Sequence, residues 1–159
     1  MKHVIFLKPD NDGIMTVRTP AYGDKARPDM TEEEWIQEAI DTLPKGEDGN
    51  TVPYRVVNTE DIPSDRVFRT AWEDTGTSVA PNMPKARGIQ MNRIREVRNK
   101  ELAALDITFM RAVEDGDTDA QATIKAKKQE LRNIPQTFDL TTDTPEELKE
   151  KWPEGLPKE

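Results

Sequence analysis

Hydrophobic and polar positions divide the chain into stretches of different period. Val4-Ile5-Phe6-Leu7 is a short continuous apolar run, and Ile14-Met15-Thr16-Val17-Arg18-Thr19 alternates. Between them lies Pro9-Asp10-Asn11-Asp12-Gly13. Two β-rich runs around an Asp/Asn/Gly turn predict a β-hairpin, with Gly13 at positive φ and one wet sheet face. Thr31-Glu32-Glu33-Glu34 carries the Thr-x-x-Glu signature of a capping box. The stripe Trp35, Ile36, Ala39, Ile40 and Leu43 continues it as a helix that Pro44 and Gly46 end. Val52-Pro53-Tyr54-Arg55-Val56-Val57 reads as a third strand. Val67–Trp72 fits either an extended segment or a short helical turn, and Gly76–Asn82 reads as a hinge.

After Asn82 the period becomes helical for about thirty residues. Met91, Ile94, Arg98, Leu102, Leu105, Phe109 and Ala112 follow one another at spacings of 3, 4, 4, 3, 4 and 3, which is one helix face, continuing to Val113. Gly116 is placed as a left-handed stop, and Asp117 or Thr118 as the cap of a second helix with the stripe Ala120, Ile124, Lys127, Leu131, reaching Ile134 just before Pro135. So short a link makes the two helices antiparallel. The second helix is thin in large apolar groups. Burying Ile124 and Leu131 contributes about 1.5–3 kcal/mol each. Ordering the backbone costs about 1–2 kcal/mol per residue, offset in part by the helix hydrogen bonds. The hairpin therefore calls for a third surface: the N-terminal region, another copy of the chain, or a partner. Thr144-Pro145-Glu146-Glu147 starts a short helix that ends near Trp152-Pro153. The expected fold class is α+β. Residues 1–75 form a small hairpin/helix/strand domain, 76–135 an antiparallel helical hairpin, and 136–159 a loose C-terminal arm.

Composition sharpens this picture. Charged residues make up 34% of the 159, and only 31 are Leu, Ile, Val or Phe, near the level at which chains stop folding alone. Small cores and partner-completed faces are expected. The net charge of −8 is uneven: residues 1–75 carry −7, 76–135 carry +3 and 136–159 carry −4. A basic middle flanked by acidic ends can attract its own ends or a partner. It is no dense basic footprint, so nucleic acid is not an expected partner. No stretch has the length of a membrane span or the core of a signal peptide, and the absence of Cys fits folding in a reducing cytosol.

Candidate chemistry is sparse. Asp115-Gly116-Asp117-Thr118-Asp119 opens like a calcium loop. Ala120 and Ala126, however, stand where Gly and Glu are required. No phosphate-cradling glycine loop is present, and Glu32–Glu34 read as a solvated helix start rather than an acid–base pair. No cofactor, metal or catalytic residue is assigned, and the chain is expected to be no enzyme. His3, the only histidine, falls in an expected edge strand. Arg98 interrupts the apolar stripe. It calls either for a carboxylate clasp, with Glu101 the best placed, or for a partner chain. Trp152, beside Pro153, is the best docking anchor among the three Trp.

The stretches Ile94-Arg95-Glu96-Val97-Arg98-Asn99-Lys100-Glu101-Leu102-Ala103-Ala104-Leu105-Asp106 and Lys128-Gln129-Glu130-Leu131-Arg132-Asn133-Ile134-Pro135, with the late Trp152-Pro153, together resemble the C-terminal region of bacteriophage tail assembly and tail-fibre assembly chaperones. Pro53-Tyr54 through Ala71-Trp72 looks like phage virion-region proteins. Ile107 stands where the chaperones carry Trp, and Asn133 where they carry Asp. The resemblance implies a non-enzymatic protein that binds phage tail or tail-fibre polypeptides in the host cytoplasm during assembly, then either leaves the particle or stays in the virion tail. The alternative is a permanent fibre, baseplate or capsid-decorating subunit. Arg95, Arg98, Phe109 and Trp152 are the expected partner-binding residues, and self-association is a further expectation.

Overall fold

The computed structural model describes residues 1–8 and 13–158. The architecture is α+β and divides into two compact units, Met1–Asn82 and Met83–Glu159.

The first unit holds strands β1 (Lys2–Leu7) and β2 (Met15–Arg18), helix α1 (Glu32–Asp41), and strands β3 (Tyr54–Asn58), β4 (Trp72–Asp74) and β5 (Val79–Pro81). β1 is the central strand of an antiparallel sheet ordered β2-β1-β3, pairing Ile5 with both Val17 and Arg55. The expected hairpin strands are present, and Gly13 has φ of 73°. Pro9, Asp10, Asn11 and Asp12 of the expected turn lie outside the described residues. Thr31 caps α1 in the predicted box, accepting from the Glu34 amide while Glu34 accepts from the Thr31 amide.

The expected wet face does not hold for the central strand, because β1 is covered on both sides. Val4 and Phe6 pack with Ile36, Ala39 and Leu43 of the α1 side, while Ile5 packs with Met15, Val57, Trp72 and Val79. Alternate residues of a strand point to opposite faces, so a continuous run such as Val4-Ile5-Phe6 is what a doubly covered strand needs. The second cover is the antiparallel β4–β5 hairpin. It occupies the stretch expected as a hinge, and the expected boundary at 75/76 falls inside it. Gly76, at φ of 87°, makes the turn, and its amide is held by Asp74 Oδ1 at 2.8 Å. The Arg55 guanidinium grips the Asp74 carboxylate with Nε at 2.9 Å and Nη2 alongside, which ties this hairpin to β3 and holds Asp74 below the usual carboxylate range. Val67–Trp72 resolves as a single 3-10 turn, Arg69–Ala71, that leads into β4.

The second unit is built on α2 (Met83–Glu114), α3 (Thr118–Thr137) and the short α4 (Pro145–Glu150), with α2 packed against both others. The link between α2 and α3 is a Schellman turn. Gly116 has φ of 67°, its amide donates to the Val113 carbonyl at 3.1 Å, and the Asp117 amide reaches Ala112 at 2.9 Å. Asp117 then caps α3 through the Ala120 amide. α3 continues one turn further than the expected stop before Pro135, ending at Thr137.

Residues 138–158 are not a loose arm. Leu140, Leu148 and Leu156 are buried. Gln90, fully buried in α2 at 0% exposure, donates through Nε2 to the carbonyls of Lys149 (3.4 Å) and Lys151 (2.9 Å), and its own oxygen accepts from Arg93. Arg87 holds the Thr142 carbonyl at 3.1 Å. Lys151 Nζ staples the segment internally to the carbonyls of Asp139 and Thr141. A buried amide with both ends satisfied anchors a segment, because breaking it strands polar groups away from water. Gln90→Ala is therefore expected to lower stability by about 1–3 kcal/mol and to open residues 138–158 to limited proteolysis before any cut elsewhere in the unit. An unchanged urea midpoint and cleavage map would refute this anchoring role.

Candidate functional site

α2 presents two inner faces in succession and one outer face. Ala86, Gln90, Ile94 and Val97, spaced 4, 4 and 3 apart, are buried. They share the half of the helix to which Gln90 fastens the C-terminal segment. In the distal half Leu105 and Phe109 are half-buried and Ala112 is buried, on the α3 side with Ile124 and Leu131. The stripe expected as one face is thus two overlapping ones.

The expected Arg98–Glu101 clasp within α2 is not formed among the described residues. Arg98 donates to the adjacent Asn99 Oδ1 from Nε at 3.3 Å and Nη2 at 2.9 Å. Across the hairpin Lys128 pairs with Asp106, and Gln121 Nε2 donates to the Ala112 carbonyl at 3.0 Å. The Lys128 side chain is only 13% exposed, and its ammonium lies 5.4 Å from the centre of the Phe109 ring. The alkyl stem thereby supplies apolar cover that α3 otherwise lacks. Lys128, four residues beyond Ile124, takes the seam position expected for Lys127, which is exposed. Both fit helical spacing; Asp106 and Phe109 opposite select the former.

The four expected docking residues are placed as follows. Arg95 is exposed and donates to Asn92 Oδ1 at 3.0 Å. Arg98, half-buried, lies near it on α2. Phe109 is half-buried under Lys128. Trp152 is engaged by its own chain: its indole N–H donates to the carbonyls of Leu156 and Pro157 at 3.2 and 3.0 Å, and Arg93 lies 5.9 Å from its ring. These residues do not form one cluster. The contiguous exposed apolar surface is elsewhere, on the outer side of the distal half of α2. There Ile107 (59%), Met110 (58%) and Val113 (46%) stand clear of solvent cover at spacings of three. Residues three apart are neighbours on a helix surface. Val113, expected to continue the inner stripe, is instead exposed beside Ile107 and Met110, which lie off that stripe.

His3 occupies the central strand rather than an edge, and is 8% exposed. Its Nδ1 lies 2.8 Å from Thr19 Oγ1 and its Nε2 3.0 Å from Thr59 Oγ1. The Thr59 hydroxyl gives its proton to the Met1 carbonyl at 3.0 Å, so it accepts from Nε2–H, and Nδ1 accepts from Thr19. The ring is held neutral: burial foremost, then the N-terminal ammonium and Arg66, push its pKa down. A general base needs a partner that stabilises its cation; here the neighbouring charges are both positive.

Among the described residues there is no cluster of His, Asp or Glu suited to a metal ion, and no helix is long and apolar enough to cross a membrane. No family model, curated protein or solved structure matches the chain.

Because the folded-state pKa of His3 lies below its ordinary 6.5, the unfolded chain binds the proton more readily. Stability from this residue is present above about pH 6.5 and is lost as pH falls below it toward the folded value. The paired carboxylates, whose pKa values are lowered from 3.8 or 4.5, act only in more acid solution. Urea midpoints measured at pH 7.5, 6.5 and 5.5 should fall in the wild type and vary less in His3→Gln. Equal slopes in the two proteins would contradict the buried neutral ring.

Proposed function

We propose that this chain is a non-enzymatic bacteriophage tail-associated protein that binds tail or tail-fibre polypeptides during assembly in the host cytoplasm. Binding works by shape and charge complementarity, with no covalent step. The observation that carries the reading is the distal outer face of α2, where Ile107, Met110 and Val113 are exposed side by side. Contiguous apolar surface on a helix that already has its inner side covered is a common mark of a partner-binding site. Two further points support it. The three stretches that resemble tail assembly chaperones, Ile94–Asp106, Lys128–Pro135 and Trp152-Pro153, all fall within the second unit. The charge of +3 over residues 76–135 favours an acidic segment on the partner.

Helix-in-groove and helix-on-helix docking read such faces through anchors three and four residues apart. Ile107 and Met110 are therefore the primary contacts in this reading, with Arg95 and Arg98 supplying charge nearer the middle of α2. Trp152 contributes by holding the C-terminal segment in place rather than by touching the partner.

The test is affinity capture of tail polypeptides co-expressed with the full-length chain. The double variant Ile107→Glu/Met110→Glu should lose capture by more than about tenfold, equivalent to about 1.4 kcal/mol, with an unchanged melting temperature because both sites are exposed. Capture equal to wild type would sink the reading. Mass spectrometry of purified particles then separates two fates: stoichiometric copies make the chain a permanent virion subunit, and absence makes it a released assembly factor.

A further inference from the structure

The first unit carries a recess of about 170 Å³ beside the buried histidine, lined by His3, Thr19, Thr59, Ile62, Ser64 and Arg66 among others. At roughly 30 Å³ per water molecule, it has room for a small polyatomic ion together with solvent. Its hydrogen-bonding inventory is lopsided. On the inner wall every group is committed: Thr19 to Nδ1, Nε2 to Thr59, and Thr59 to the Met1 carbonyl. On the rim, the Ser64 hydroxyl and the Arg66 guanidinium have no acceptor among the described residues. Arg66 instead rests 6.0 Å from the ring of Trp72, whose indole is buried at 1% exposure.

The charges that act on His3 are the N-terminal ammonium and Arg66. Of the acidic residues in the same loop, Asp61 accepts from the Asn58 amide at 3.0 Å and Asp65 from the Val67 amide at 2.9 Å, and Glu60 is exposed. A guanidinium offers a planar fork of donors that matches the two oxygens of a carboxylate or a phosphate, and an adjacent hydroxyl can rotate to add a third bond.

We propose that this recess binds a small oxyanion, with Arg66 and Ser64 as the direct donors and the His3–Thr19–Thr59 chain as its fixed wall. The shared chemistry is a carboxylate-type or phosphate-type group with two oxygens free to meet the guanidinium. The site lies wholly in the first unit and does not depend on the docking face of α2.

The single histidine makes the experiment direct, because its ring protons give one unambiguous pair of NMR signals in the full-length chain. Sodium sulfate and sodium acetate are titrated separately at pH 7.5, each against sodium chloride at matched ionic strength. The expected result is a saturable movement of the His3 signals with sulfate or acetate that chloride does not reproduce. Tighter saturation by sulfate assigns a phosphate-type ligand, and tighter saturation by acetate a carboxylate. Arg66→Ala should weaken saturation at least about tenfold, that is about 1.4 kcal/mol. Arg66→Lys, which keeps the charge and loses the fork, should fall between. Both variants alter an exposed side chain, and circular dichroism checks that the fold is kept. His3 signals that respond to sulfate and acetate only as they do to chloride would overturn the proposal, as would Arg66→Ala titrating like the wild type.

Discussion

A helix of 32 residues spans nearly 50 Å at about 1.5 Å per residue, and α2 has too few large apolar side chains to justify that length by itself. Its coverage is the constraint on which the second unit depends. The chain solves it piecewise: α3 folds back over the distal half, and the segment after α3 returns to the proximal half. Each cover is sparse. α3 brings Ile124, Leu131 and the stem of Lys128; the C-terminal segment brings Leu140, Leu148 and Leu156. Hydrogen bonds from Gln90 and Arg87 to main-chain carbonyls complete the second cover. Among the described residues none gives such cover to the outer side of the distal half, and that is where Ile107, Met110 and Val113 lie.

The first unit faces the same shortage with a different solution. One strand, β1, is buried on both faces, so three consecutive residues, Val4, Ile5 and Phe6, serve two small cores at once. α1 is joined to the sheet edge by Arg18, which reaches the Ala39 carbonyl and the Thr42 hydroxyl near the end of the helix, where a cation complements the dipole. Polar ties of this kind let a chain with 34% charged residues hold a defined shape.

What was legible in the sequence was whatever local chemistry encodes. The Thr31 box, the Gly116 stop with its Asp117 cap, and the antiparallel pair they imply all follow from short-range rules. The misses share a different cause. The C-terminal segment is docked through backbone carbonyls of Lys149 and Lys151, and a carbonyl carries no residue signature, so only Gln90 at i−4 from Ile94 hinted at it. The β4–β5 hairpin has three residues per strand, too few for a period to register, and it hid inside what read as a hinge. His3 moved from edge to centre because strand order is set by β3, about fifty residues away. Arg98 and Lys128 show that a helix face can be right while its ion pair is wrong: period fixes which residues share a face, and the opposing helix decides which of them meet.

Cover along α2 is unequal. Amide hydrogen exchange of the chain on its own, read residue by residue across 83–137, measures that directly. Slow exchange around Gln90 and Ile94, with markedly faster exchange from Ala103 through the turn at Gly116 into the first turns of α3, is the predicted profile. Uniformly slow exchange to the end of the hairpin would contradict this, because the tip would then be complete without a partner.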